Sequence, residues 1–516
     1  ITIKLFCMKS IFKSVAIITV FSVATRLLGF LLRIFLSRTI GAEALGLYQV
    51  ALSVFMVLMT IVSSGLTLII SRLTASYRVS KDKKGVSTLV TSSLLVGLVV
   101  SVILCLIILL FRNLFSNLFS DENCINILII LLPSLIFSAV YSVFRGAMWG
   151  YDNYFALCVT ELFEMVVKIA LCVLLLSAGM TALSSAMTVA WSFTISCIVS
   201  AIFVIILYFF YGGKMSKPSR IYKTVLKQST PITAVRVAGS LVQPLIALIL
   251  PARLIAVGYT VEQAISIYGV ALGMTFPLLF LPTTLIGSLS TALVPDISMA
   301  MVQNDNEHIQ KRVNSSITFT LFITFLILPI FIGIGDRIGT FLFGEALSGT
   351  LLQFSAWMMI PMGITNITSA ILNSCGLEVK SFINYIIGGI FTFISVFCLT
   401  GYMGVLSLPF GMGISTAITA ILNIIMLKRK LKIEVKIIKN LLIMILLCIP
   451  SVAVTSFLSS LLSFIMPDFF NIAFSASVGA IMFILLCLIF NVVSIQTYFV
   501  QFKEKFKKIK KRRKKA

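Results

Sequence analysis

The chain has 516 residues, 59% of them hydrophobic and 11% charged, with a mean hydropathy of +1.11. That composition excludes a soluble globular domain and indicates a polytopic membrane protein. The formal charge of +24 would suggest a nucleic-acid partner in a soluble protein. Here the lysines and arginines gather in short segments between apolar runs, which is a topology signal and implies no nucleic acid.

Apolar runs long enough to span a bilayer recur over residues 11–37, 46–71, 86–111, 124–149, 154–178, 183–210, 231–257, 264–291, 314–335, 350–373, 380–401, 405–427, 437–461 and 468–497. They predict an all-α polytopic membrane protein with about fourteen transmembrane helices. The first run is too long for a cleavable signal peptide and has no small-residue cleavage site after it, so it is expected to stay as a transmembrane helix. Met8-Lys9-Ser10 offers an alternative start.

Helix 1 carries Arg26 and Arg33 in an otherwise apolar run. A guanidinium at membrane depth costs about 3 kcal/mol or more, so such residues face a cavity, a partner or an anionic ligand. Seven residues apart, the two lie within about 20° of each other around the helix and form a cationic stripe. The alternative is that they snorkel to the interface or pair with acids, which is easier for Arg33 than for the deeper Arg26. Helix 4 ends in Gly146-Ala147-Met148-Trp149-Gly150, a small-xxx-small spacing that lets helices approach closely. Helix 5 holds Glu161, Glu164 and Lys168. Glu164 and Lys168 can pair at i,i+4. The surplus Glu161 either holds an arginine such as Arg145 or couples to a proton or sodium ion.

After helix 6 comes a basic segment with Gly212-Gly213 and Pro218 as breakers, which reads as a linker between two lobes. Beyond it the first lobe is echoed. Arg26-Leu27-Leu28-Gly29 matches Arg236-Val237-Ala238-Gly239, and Tyr48-Gln49-Val50-Ala51-Leu52 matches Tyr268-Gly269-Val270-Ala271-Leu272. The echo puts Arg236 opposite Arg26 and Gln243 in the place of Arg33, so two lobes would share a cavity with at least three cations. Gly269 and Gly273 repeat the small-residue spacing, and Pro231, Pro244, Pro277, Pro282 and Pro295 allow bends. The expected organisation is an N-terminal six-helix lobe over 1–210, the basic cytoplasmic linker 211–230, and a C-terminal six-helix lobe over 231–427. Two additional transmembrane helices over 428–501 and a basic cytoplasmic tail over 502–516 complete it.

Most lysines and arginines fall on one side of this topology, which puts both termini in the cytoplasm; the outer connections hold only Arg38, Arg112, Arg253 and Arg337. The lysine-rich tail needs no role beyond a cytoplasmic stop that attracts anionic lipid headgroups. His308, the one histidine, reads as a solvated loop residue, and the ten cysteines are scattered without a CxxC pair. No metal site, no cofactor and no catalytic residue is expected; no GxxxxGK[ST] or HExxH motif occurs, and the outer loops are short for a membrane enzyme.

Thr25-Arg26-x-Leu28-Gly29-Phe30, followed by Arg33, Arg38, Ile40-Gly41 and Gly46-Leu47-Tyr48, resembles the opening of the stage V sporulation protein B family and its relatives in polysaccharide export. These belong to the multidrug/oligosaccharidyl-lipid/polysaccharide exporter superfamily. Gly146 to Asn153, and Glu164 with Lys168, also look like family positions. The resemblance implies two six-helix lobes around a central cavity and two further helices that in the lipid II flippases line an apolar groove. It implies a lipid-linked oligosaccharide as substrate, with Arg26 and Arg33 among the residues that carry over, in a bacterial plasma membrane. The expected function is therefore not enzymatic: a flippase for an undecaprenyl-pyrophosphate-linked cell-wall or spore-cortex precursor, working by alternating access. A cation-coupled multidrug extruder and a non-transporting scaffold are the alternatives. Membrane lipids are the other expected partners, and the sequence carries no signal of oligomeric state, which leaves a monomer plausible.

Overall fold

A computed structural model describes residues 2–177, 179–303, 305–431 and 437–490, and all its regular elements are helices. In chain order they are α1 (Thr2–Val79), α2 (Lys83–Leu110), α3 (Arg112–Ser116), α4 (Asn123–Gly150), α5 (Tyr154–Leu175), α6 (Ala182–Phe210), α7 (Ile221–Ser240), α8 (Val242–Ala256) and α9 (Val261–Tyr268). A π-helical stretch, Gly269–Thr275, leads into α10 (Phe276–Val302), α11 (Asn306–Phe343), α12 (Ala346–Ser355) and α13 (Met359–Ser374). The last four are α14 (Glu378–Met403), α15 (Ser407–Leu431), α16 (Ile437–Leu462) and α17 (Asp468–Ile489). The basic tail 502–516 and residues 432–436 lie outside the described residues.

Among the described residues, eleven helical stretches are long and apolar enough to cross a membrane. This number is smaller than about fourteen, and two of the stretches are too long for one span. Ile18–Val79 is a single stretch of 62 residues, yet at 1.5 Å per residue it runs about 93 Å, roughly three hydrocarbon thicknesses. A single crossing by it is excluded. Gly41, with φ 77° and ψ 180°, breaks it into two arms. Residues 38–45, expected as an outer loop, are helical turns on either side of this break. Likewise Glu378–Lys430 is one stretch of 53 residues, and α5 carries three charges.

Packing divides the chain, over its described residues, into two units: unit 1 takes Ile1–Met274 and Val396–Val405, and unit 2 takes Thr275–Ser395 and Leu406–Ala516. Unit 1 therefore includes α7–α9, beyond the expected linker, and glycines account for this. A Cβ at Gly65 in α1 would lie 2.6 Å from the Ser229 carbonyl oxygen of α7, and one at Gly46 would lie 2.1 Å from the Ile265 oxygen of α9. One at Gly269 would lie 2.2 Å from the Ala42 oxygen. Backbones that touch this closely hold α7 and α9 against the second arm of α1. Gly146 and Gly150 do the same for α4, with their Cβ positions 2.8 Å from the oxygens of Thr67 and Ser71. The core of the unit gathers Leu66, Ile70, Leu89, Phe144, Leu157 and Tyr208. The stretch expected as a linker is irregular only up to Arg220 and is tied to α2: the Ser219 amide donates to Ser92 Oγ at 3.0 Å and the Ser216 amide to Thr91 Oγ1 at 3.3 Å. Pro244 has no amide to give to the Ser240 carbonyl, which accounts for the break between α7 and α8.

Unit 2 relies on buried amides and hydroxyls. Asn423 accepts from Asn384 Nδ2 at 2.9 Å and donates to Thr368 Oγ1 at 3.2 Å and Ser369 Oγ at 3.0 Å, joining α13, α14 and α15. Asn471 donates to the Ser459 carbonyl at 3.0 Å between α16 and α17. Such bonds replace a hydrophobic drive that lipid does not supply. His308, expected in a loop, sits in the first turn of α11, capped by Asp305, with Nε2 3.5 Å from Asp296 Oδ1. Arg312 Nε meets the other oxygen of Asp296 at 2.7 Å.

Candidate functional site

The close approaches of α4 and α7 to the second arm of α1 leave a cavity of ≈ 500 Å³ in unit 1. One wall is a stripe of hydroxyls on α1, Thr60, Ser63, Ser64, Thr67 and Ser71, at the three- and four-residue spacings that align along a helix face. Ser138, Tyr141, Ser142, Arg145 and Trp149 come from α4, and Arg236 comes from α7. Two arginines thus face one space. Arg236 Nη1 donates to the Ser64 carbonyl at 3.3 Å, which points its guanidinium along the hydroxyl wall. Ser64 Oγ is buried without a hydrogen-bond partner among the described residues.

Arg145 is held from three directions. Its guanidinium carbon lies 5.8 Å from the Tyr141 ring and 5.7 Å from the Trp149 ring, within cation–π range. It forms an ion pair with Glu161 of α5, each side chain 31% exposed. Its Nε is buried with no acceptor among the described residues. Glu161 faces a second recess of ≈ 270 Å³, lined also by Thr25, Met59, Ser138, Tyr141, Glu164 and Cys197. Met59, Ser138, Tyr141 and Arg145 belong to both linings, so the recess adjoins the cavity at Arg145. Glu164 is 3.7 Å from Lys168, whose Nζ sits 4.4 Å from the Phe193 ring centre.

Of the residues singled out in the sequence, the structure places Arg236 in the cavity wall and Glu161 and Glu164 in the recess. Arg26 is exposed, one residue beyond Thr25 of the recess lining, and has no hydrogen bond or ion pair among the described residues. Arg33 is half-buried and donates to the Leu272 carbonyl at 3.4 Å, a bond to the π-helical stretch. Gln243 is exposed on α8. The cavity therefore brings Arg236 together with Arg145, not with Arg26, Arg33 or Gln243. Sequence reasoning reached Arg145 only as a partner for Glu161. The signal for its second role was the periodic hydroxyl stripe of residues 60–71, which faces it.

Guanidiniums stay charged at any physiological pH and fit phosphate oxygens with forked hydrogen bonds. Beside a wall of hydroxyls and two aromatic rings, they form a site suited to an anionic, hydroxyl-rich group.

Comparison with known proteins gives a family and a fold. Residues 11–301 match the family model described as polysaccharide biosynthesis protein. Stage V sporulation protein B of Bacillus subtilis (strain 168) is 24% identical over 498 residues, covering 93% of this chain and 95% of that protein. The inward closed conformation of the lipid II flippase MurJ superposes with a TM-score of 0.70 at 17% identity, over 92% of this chain and 98% of that one. An inward-facing multidrug resistance MATE family transporter of the MOP superfamily superposes with a TM-score of 0.65 at 18% identity, over 79% and 94%.

Proposed function

The chain belongs to the polysaccharide biosynthesis protein family, and from that premise we propose that it is a flippase that exports a lipid-linked saccharide precursor of the cell wall or spore cortex by alternating access. The carrying observation is the cavity of unit 1, where Arg145 and Arg236 face a hydroxyl stripe inside a membrane protein. An undecaprenyl-pyrophosphate sugar offers about two negative charges for such arginines, hydroxyls for the serine wall, and an apolar tail that stays in lipid. Arg26, exposed and without a partner among the described residues beside the recess, is the third cationic contact in this reading. Arg33 and Gln243 serve at the periphery, since neither lines the cavity.

In this reading both termini are cytoplasmic in a bacterial plasma membrane, and the six-helix lobes inferred from the internal repeat are the alternating bodies. Carrying two negative charges outward across an inside-negative membrane releases about 2.3 kcal/mol per charge per 100 mV, hence about 4–5 kcal/mol. That suffices to drive export without ATP. A drug extruder for organic cations needs an unpaired membrane carboxylate, whereas Glu161 and Glu164 are already neutralised by Arg145 and Lys168.

The test is a reconstituted flipping assay with lipid II and an O-antigen-type lipid in parallel, with and without an imposed inside-negative potential. Flipping of at least one of them, accelerated by the potential, is expected. No movement of either, together with export of a cationic dye, would overturn the proposal.

A further inference from the structure

We propose that Glu161 is a resident anion that an incoming diphosphate headgroup displaces from Arg145, and that the displaced carboxyl then binds a proton, so that loading the cavity is coupled to proton uptake. The inference rests on the reading of the cavity as an anion site. It starts from one geometric fact: Arg145 belongs to the linings of both the cavity and the recess, and Glu161, its only carboxylate partner among the described residues, lies on the recess side. In the empty protein the guanidinium that faces the cavity is thus already neutralised. A diphosphate entering from the hydroxyl wall competes with Glu161 for the same N–H donors. Tyr141 and Trp149 keep the guanidinium between their rings, so exchange of the anion does not require Arg145 to move away.

Among the described residues no free cation lines the recess for the displaced carboxylate, and Arg26, one residue beyond Thr25, is outside that lining and committed to the substrate in this reading. The titratable and charged groups around it are Cys158, Glu164 and Lys168 on α5, Tyr141 and Arg145 on α4, and Cys197 on α6. From α1 the recess receives Thr25 and Met59, which carry no charge. Lys168 already faces Glu164 at 3.7 Å. A second carboxylate next to Glu164, without Arg145, stands beside a like charge, and one proton removes that repulsion. The step balances simply: the Arg145–Glu161 contact is exchanged for an Arg145–phosphate contact, and one proton passes from water to a Glu161 carboxylate oxygen. The loaded site then carries the substrate's charge without an extra buried anion.

The test uses the full chain in nanodiscs with undecaprenyl diphosphate as the probe. Titration calorimetry in buffers of different ionisation enthalpy gives the number of protons taken up per diphosphate bound. Comparison with Glu161→Gln removes the probe's own protonation from the count. The expected difference between wild type and E161Q approaches one proton. Binding to wild type weakens by up to tenfold per pH unit relative to E161Q as pH rises. Glu164→Gln, which removes the neighbouring like charge and frees Lys168 for the displaced carboxylate, is expected to lower the uptake. Equal proton counts in wild type and E161Q, with both binding the probe, overturn this inference and leave the anion site standing. Failure of the folded wild type to bind the probe overturns the anion-site reading itself.

Discussion

Replacing Arg236 by Ala separates the proposed role of this residue from a structural one. In the structure Arg236 is exposed and makes one bond of 3.3 Å, from Nη1 to the Ser64 carbonyl, a length that marks it as weak. The residue lines the cavity. Loss of the Ser64 bond alone changes stability by about 1 kcal/mol or less, which shifts the melting temperature by only a few degrees. Loss of a charge-assisted bond to a phosphate costs about 1.5–3 kcal/mol, or roughly 10- to 150-fold in rate at 1.36 kcal/mol per decade. The R236A protein is therefore expected to purify and melt like wild type while flipping lipid II at about a tenth of its rate or less. Arg236→Lys keeps the charge and loses the fork, and falls between. The assay is dithionite quenching of a fluorescent lipid II in proteoliposomes of matched protein content. An R236A rate above half that of wild type refutes the assignment of Arg236 to substrate binding.

Packing and polar glue yield two further expectations. Gly46→Val places a side chain 2.1 Å from the backbone oxygen of Ile265 and is expected to destabilise unit 1 by about 1–3 kcal/mol, seen as a lower melting temperature and broader size-exclusion profile. Gly287→Ala, with nothing within 4 Å of its Cβ, is the matched control and is expected to be neutral or stabilising by up to about 1 kcal/mol; equal behaviour of the two would contradict the close-packing argument. Asn423→Ala removes bonds to Asn384, Thr368 and Ser369 in a fully buried position. An unsatisfied Asn384 amide costs about 1–3 kcal/mol, and an unchanged melting temperature would show that the network is dispensable.

How much of this was legible in the sequence depends on the kind of signal each residue gives. Arg26 stands out because one charge in an apolar run is costly wherever it sits. Arg145 does not, because it lies near the end of helix 4, where a basic residue reads as topology. The hydroxyl stripe was invisible to hydropathy, since serine and threonine interrupt an apolar run without ending it. The break at Gly41 looked like a loop because Arg38 and Glu43 flank it, yet a single positive φ lets helix resume at once. The division of the chain at Met274 depends on glycines meeting backbone across α1, α7 and α9, a relation between distant segments that periodicity within one segment does not encode.

The break at Gly41 has a leverage that its size conceals. The space a Cβ would occupy there is open, so the angle between the arms is set by two backbone torsions at one residue together with the packing of the arms themselves. Arg26 lies about 22 Å along the first arm from this pivot, and Arg33 about 12 Å. A turn of only about 10° therefore carries the Arg26 backbone through about 4 Å and the Arg33 backbone through about 2 Å. A small angular change at one residue is enough to bring a charge into or out of hydrogen-bonding reach of a phosphate.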